Sequence, residues 1–279
     1  MKYCDLHNHS SISDGTYTPR ELVEYACEKG LSAIGLTDHN NVEGLEEFEK
    51  SAQELGIEYV FGAELTTDYQ GKEIHLLALF ITRKNANRIE SFTKKQLASK
   101  DVSNRELEVR LKNGGYDISL DELKAKYGAN INRAHFAKEL VLKGYYKTTD
   151  DAFDTVLKTG NGFYIPPSRL DFLQGVALVR EWGCVPVMAH PLLSVNKNEL
   201  EQLLPVAKEK GLVGIEVYYP KFSQEEQNYL HSLAEKHGML LSGGSDFHGS
   251  MKSSGDLGDA CVPYDCYKKL DNFYKTIDK

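Results

Sequence analysis

Leu31-Ser32-Ala33-Ile34-Gly35-Leu36-Thr37-Asp38-His39 is a short apolar run that ends in an acid and an imidazole. Residues 31–36 read as a buried strand, with Thr37-Asp38-His39 just past its end. A helix precedes it. Thr18-Pro19-Arg20-Glu21 combines an N-cap threonine, a proline in the first turn and a capping-box glutamate. Leu22, Val23, Ala26 and Cys27 then form one apolar face, and Gly30 ends the helix. A second helix follows over roughly residues 44–54.

The same rhythm recurs on both sides of this stretch. Residues 3–7 read as a strand that delivers His7, strand 58–63 ends in Glu64, and a strand near 73–81 carries His75. Helix 170–181 precedes strand Val185–Ala189 and His190. Helix 197–210 precedes strand Val213–Val217, which contains Glu216. The capping box Ser223-Gln224-Glu225-Glu226 opens a helix to about 237, and strand Met239–Leu241 leads to Ser245-Asp246-Phe247-His248. An amphipathic helix from about Tyr264 follows. Alternating strands and helices predict a parallel α/β sheet or barrel. An open doubly wound sheet gathers ligands around one switch point, whereas a barrel builds its site from many strand ends. Polar residues at six or more strand ends therefore favour the closed ring.

Residues 96–165 break the pattern. Helix Arg105–Lys112, Gly114-Gly115, the capping box Ser119-Leu120-Asp121-Glu122 and short helices near 134–143 and 150–158 show no core strand. This predicts a catalytic barrel of residues 1–95 and 166–279, interrupted by a helical insertion, residues 96–165, that is either a lid over the site or additional packing.

With 41% hydrophobic and 27% charged residues, the 279-residue chain has the balance of a soluble globular protein. A net charge of −8 argues against binding long duplex nucleic acid through a general basic surface, but not against phosphate substrates, because bound divalent ions reverse the local field. Five cysteines without a C-x-x-C pair read as reduced thiols. With no signal peptide and no transmembrane run in view, a cytoplasmic location and no membrane partner are expected.

His7 and His9 share one face of an extended segment, because strand side chains alternate. Taken singly, this pair reads equally well as surface histidines, Asp14 as a turn residue, Glu64 as a solvated strand end and His190 as a loop residue. Taken together, His7, His9, Asp14, His39, Glu64, His75, His190, Asp246 and His248 are an imidazole–carboxylate set without thiolates. That set suits manganese, iron or zinc, and nine ligands exceed the ~4–6 that one ion needs. Two or three clustered ions are expected, with Glu64 bridging two of them. His231 and His237 fall on a helix and read as surface residues.

This ordered pattern resembles the polymerase and histidinol phosphatase (PHP) family over nearly the whole chain. The resemblance implies a distorted seven-stranded (β/α) barrel with a trinuclear centre. It implies His7, His9, Glu64 and Asp246 on the first ion, Glu64, His75 and His190 on the second, and Asp14, His39 and His248 on the third. The chain is most similar to the stand-alone branch with a helical insertion, which contains nucleotide phosphatases and 5′-to-3′ exoribonucleases of short RNA. That branch carries Asn-Arg-Pro-His in the insertion. Asn132-Arg133-Ala134-His135 stands here, with alanine for proline, which loosens the backbone constraint. Arg133 offers a bidentate fork for phosphate and His135 a donor. Lys158 and Tyr164, near the end of the insertion, are further substrate candidates. Asp38 is expected to orient a ligand from behind.

The implied reaction is hydrolysis of a nucleotide phosphate monoester, or of the 5′ end of short RNA, releasing inorganic phosphate. Clustered ions lower the pKa of a shared water from about 15.7 toward ~7 and so supply the nucleophile for in-line attack. Asp246 and His190 are the candidate catalytic residues. Leaving-group protonation by Asp246 or by a metal-bound water stays open. Ser245 is no triad nucleophile, since Ser-Asp-x-His is too local in sequence to form that relay. The alternatives are a histidinol-phosphate phosphatase, a metal-dependent amide or lactone hydrolase, and a non-catalytic metal-binding module. Loss of ligands would mark the last, and all nine are present.

Overall fold

The strands are β1 (Tyr3–Asp5), β2 (Ala33–Leu36), β3 (Glu58–Tyr69), β4 (Lys72–Leu79), β5 (Leu170–Asp171), β6 (Val185–Met188), β7 (Gly214–Tyr218), β8 (Leu240–Gly243) and β9 (Val262–Pro263). The helices are α1 (Pro19–Glu28), α2 (Leu45–Leu55), α3 (Ala86–Asn113), α4 (Leu120–Tyr127), α5 (Arg133–Leu142), α6 (Thr149–Ala152), α7 (Phe172–Glu181), α8 (Pro191–Ser194), α9 (Lys197–Glu209), α10 (Gln224–His237) and α11 (Tyr264–Ile277). This computed structural model describes residues 2–128, 131–251 and 255–277.

Hydrogen bonding runs in the order β8-β7-β6-β4-β3-β2-β1-β9. The β8 end of this path also meets β1 and the segment after it. Leu6 N donates to Gly243 O (3.1 Å), Asp246 N donates to His7 O (2.9 Å), and Asn8 bridges Phe247 in parallel. The sheet therefore curls into a nearly closed barrel of β1, β2, β3, β4, β6, β7 and β8, the distorted ring that the sequence predicts. Gly244 permits the seam, because a Cβ there would lie 2.5 Å from the His7 Cβ.

Two expectations need correction. β4 is antiparallel to both β3 and β6 rather than parallel. It returns from β3 through Gln70-Gly71, both at positive φ, the mirror-image turn that matches strand twist. β3 itself does not stop at Glu64 but continues to Tyr69. Glu64 is thus mid-strand, while His75 lies within its strand, near the start, as expected. Reversing β4 is what brings His75, paired with Thr66, to the same end of the barrel as Glu64.

Strand alternation divides the packing. Ile34, Leu36, Leu65, Leu76, Ala78, Ile215 and Val217 face the surrounding helices, in a core with Phe48, Phe172, Val176, Leu203 and Leu230. Val60, Leu77, Leu79, Val185, Val187 and Ala189 share a second core with Leu6, Val262 and Leu270. Glu64 has the parity of Val60, and His75 that of Leu77 and Leu79. The same inward columns are apolar at one end and carry the candidate ligands at the other.

The described residues divide into two compact units. One runs to Thr93 and resumes at Arg169; the other is Lys94–Ser168. The helix expected over 105–112 is the end of α3, which spans 28 residues. The helical unit has its own core, with Leu107, Leu111, Leu123, Ile131, Phe136, Leu140 and Leu157. After α6 the chain passes into a π-helical turn, Phe153–Leu157.

Candidate metal centre

Glu64 is fully buried, and five imidazoles converge on it. Its Oε2 lies 3.3 Å from His7 Nε2, 3.3 Å from His9 Nε2 and 3.0 Å from His39 Nδ1. Its Oε1 lies 2.7 Å from His75 Nδ1 and 3.1 Å from His190 Nε2. Asp246 Oδ1 is 3.1 Å from His9 Nε2, and Asp14 Oδ1 is 3.2 Å from His248 Nε2. All nine sequence-derived ligands thus fall in one continuous cluster. Three groups hold donor atoms within 4.8 Å of one another: His7, His9, Glu64 and Asp246; His9, Asp14, His39 and His248; and His39, Glu64 and His75. The first is the set that the family pattern implies. The second adds His9 to the implied set, and the third has His39 where the pattern has His190.

The donor chemistry fits divalent ions. His9 Nδ1, His39 Nδ1, His190 Nδ1 and Glu64 Oε2 are buried without a hydrogen-bond partner. His7 Nε2 and His9 Nε2 stand 3.2 Å apart, both turned to the same carboxylates, so one cation could be shared between them. The electrostatics agree. Burial opposes charge on His75, but Glu64 and Glu73 outweigh it and lift its pKa to about 10. Burial likewise opposes charge on His9, yet Asp246 and Glu64 raise it to about 9. Burial dominates at His39, which falls to about 4. Burial would raise Glu64, but His75, His39 and His7 hold it well below the carboxylate range. Without metal, protons supply the positive charge that this anionic pocket demands.

Backbone strain marks two of the candidate ligand positions. His190 has φ 24° and Asp246 has φ 52°, in the left-handed region that side chains rarely adopt. Asp246 is held there by its bond to His7 O and by Tyr219, whose hydroxyl donates to Asp246 Oδ2 at 3.1 Å.

Glu216 reads from the sequence as a support of the barrel end rather than a ligand, whereas Glu73 and Asp5 carry no such reading. Glu216 accepts from His7 Nδ1 (3.0 Å) and from the His190 backbone N–H (2.8 Å). Glu73 lies 3.1 Å from His75 Nε2 and pairs with Arg169. Asp5 accepts from Ser245 N and Asn8 Nδ2, each at 3.0 Å. Asp38, picked out as an orienting residue, acts on the loop rather than on a ring. It accepts from Ser10 N (2.8 Å), Ser10 Oγ (2.7 Å) and Ser13 Oγ (2.5 Å), between His9 and Asp14. A buried carboxylate beside a strand end is the only sequence signal these residues give, and their partners are distant in the chain.

In the helical unit, Arg133 lies over the rings of Tyr164 (4.5 Å) and Phe153 (5.8 Å). Asn132 caps α5, with its Oδ1 accepting from Ala134 N (3.0 Å) and His135 N (3.3 Å). A proline at 134 has no N–H to give, so the cap supplies the restraint that alanine was expected to loosen. His135 is buried, its Nδ1 accepts from Asn132 N (3.1 Å), and its ring stacks on Tyr127. Lys158 is exposed and pairs with Asp154 at 3.7 Å.

This fold and ligand cluster define a metal-dependent hydrolase, and the relatives are of that kind. The PHP domain pattern matches residues 5–165, and the chain belongs to this family. It is 29% identical to a 5′-3′ exoribonuclease of Haemophilus influenzae over 88% of this chain and 90% of that one. It is 28% identical to a 3′,5′-nucleoside bisphosphate phosphatase of Chromobacterium violaceum over 92% of this chain and 91% of that one. A solved structure from Bifidobacterium adolescentis, described as a "putative metal-dependent phosphoesterase", superposes with a TM-score of 0.83 at 29% identity, covering 96% of this chain and 95% of that one. The chain is a metal-dependent phosphoesterase. No helix of the described residues is long and apolar enough to cross a membrane.

Proposed function

We propose that the chain hydrolyses phosphate monoesters of nucleotides (a nucleoside 3′,5′-bisphosphate or a 5′-mononucleotide) or removes nucleotides from the 5′ end of short phosphorylated RNA in the cytoplasm. The carrying observation is Glu64, one buried carboxylate with its two oxygens shared among five imidazole nitrogens. That geometry supports two to three divalent ions, manganese, iron or zinc, with Glu64 between them. His7, His9 and Asp246 hold one side of the bridge, and His75 and His190 the other. Asp14, His39 and His248 complete the set. The bound ions supply Lewis acidity and an activated water. Asp246 and His190 are the candidate catalytic residues, and the strained backbone at both supports a functional role. Arg133 and His135 are assigned to the substrate phosphate. The support is the planar guanidinium kept in place by two rings, while His135 also caps its helix.

The test is single-turnover hydrolysis of adenosine 3′,5′-bisphosphate, AMP and 5′-phosphorylated short RNA, with manganese added and then chelated. Histidinol phosphate and an amide panel run alongside. Cleavage of a nucleotide substrate that stops on chelation is expected. A manganese-loaded sample that cleaves none of the three overturns the reading.

A further inference from the structure

We infer that Glu216 is a positioning residue that serves two parts of the metal centre at once, by fixing which nitrogen of His7 faces the ions and by holding the strained backbone of His190. The inference rests on the metal reading above. Glu216 sits within β7 with the inward parity of Gly214 and Tyr218, and it is fully buried. Its Oε1 and Oε2 lie 3.0 and 3.2 Å from His7 Nδ1. Oε2 also accepts the His190 backbone N–H at 2.8 Å.

An ionised carboxylate only accepts, so His7 Nδ1 must carry the proton. Nε2 is then the nitrogen turned toward the cluster, where a bound ion would replace its proton. It is this nitrogen that stands 3.3 Å from Glu64 Oε2 and 3.7 Å from Asp246 Oδ1. The tautomer that Glu216 imposes is therefore the one that aims a ligand atom into the cluster. A carboxylate behind a histidine orients the ring and raises its basicity.

The second bond explains an otherwise unfavourable backbone. His190 occupies φ 24°, ψ 60° at the start of α8. The bond from its N–H to Glu216 Oε2 fixes the peptide that leads into this conformation. His190 Nε2 then meets the opposite oxygen of Glu64 from His7. One buried acid thus sets the aim of two imidazoles that lie on opposite sides of the bridging carboxylate. Glu73 gives an internal contrast. It backs His75 at Nε2, so His75 turns Nδ1 inward, but Glu73 is partly exposed and neutralised by Arg169.

Glu216→Gln is the decisive variant, because it keeps shape and removes one acceptor. A glutamine replaces one accepting oxygen by a donating NH₂ and removes the charge, so the single oxygen left must serve both His7 Nδ1–H and His190 N–H, and the hold on His7 weakens. The readouts are ion stoichiometry and affinity by chelator competition, on protein whose circular dichroism matches the parent. An affinity loss of about 10–100-fold is expected. Glu216→Asp keeps two acceptors on a shorter arm and is expected to fall between. A folded Glu216→Gln that binds ions with parental affinity and stoichiometry overturns the inference. Zinc-loaded parent protein gives a check that needs no variant. The ¹⁵N shifts of His7 are expected to show a protonated Nδ1, and a protonated Nε2 rejects the proposal even where the variant does not fold. Loss of affinity together with nucleotide hydrolysis by the parent supports both readings. Loss of affinity in a protein whose parent hydrolyses no nucleotide leaves this inference standing and removes the substrate assignment alone.

Discussion

Both units of the molecule bury histidine, and they do so in opposite ways. In the helical unit His135 is buried but satisfied: its Nδ1 takes an N–H from Asn132 and its ring lies on Tyr127. In the barrel unit His9, His39 and His190 are packed beside carboxylates with a ring nitrogen left unmatched. Burial by itself therefore does not identify a ligand. A folded protein tolerates buried, unmatched nitrogens where a ligand can take them up, and His135 stands on one side of that distinction, His9, His39 and His190 on the other.

The strongest way to break the contrast is Glu64→Ala. It removes the acceptor common to five imidazoles. Bound metal is expected to fall below the parental ratio, and kcat/KM to drop by ~3 or more orders of magnitude. Parental metal content in this variant would remove Glu64 from the bridging position. Arg133→Ala is the counterpart in the helical unit. A charge-assisted phosphate contact is worth about 1.5–3 kcal/mol, so KM for phosphorylated substrates should rise ~10–100-fold with metal content unchanged. Fewer bound ions in this variant would contradict the division of labour.

A pH series sharpens the same comparison at smaller amplitude. In metal-free protein the folded pKa values of His9 and His75 are raised from 6.5 to about 9 and about 10. Their protonated forms stabilise the fold fully below pH 6.5, and that contribution is lost as pH rises through about 9 and 10. Metal binding displaces those protons. The gap in Tm between loaded and stripped protein should therefore widen from pH 6.5 upward, and a constant gap would speak against proton–metal exchange at these rings. The smallest expected effect is Thr148→Ala, which removes the capping box of α6. It should cost about 1 kcal/mol in urea melts and leave ion stoichiometry untouched.

The sequence revealed the nine candidate ligands because each stands beside a strand pattern or a turn that carries its own local signal. It revealed the ring for the same reason. It placed His75 within its strand, but it ended the preceding strand before Glu64 and missed the reversal of β4, because the alternation of residues 58–69 and 72–79 is the same in parallel and antiparallel pairing. Only the Gln70-Gly71 turn distinguishes the two. It shortened α3 to its last turns because the helix carries little apolar periodicity over Ala86–Asn113. Glu216 was legible as a support of the barrel end but its partners were not, Glu216 and His7 being separated by 209 positions; Asp5 stayed hidden, its partner Ser245 lying 240 positions away. A polar residue inside a strand does not announce which loop it will meet.

The barrel seam sets a schedule for biosynthesis. His7 and His9 flank one edge of the seam, and Asp246 and His248 the other. A nascent chain emerges from the ribosome N-terminus first. His39, Glu64, His75 and His190 are all in hand long before residues 243–248 appear, yet the ring stays open until Gly243 reaches Leu6. The pocket for the first ion is thus among the last features of the barrel to form. A polypeptide released early, short of Asp246, carries most of the ligands and none of the enclosure. Retention of metal through gel filtration would therefore separate finished molecules from prematurely terminated ones.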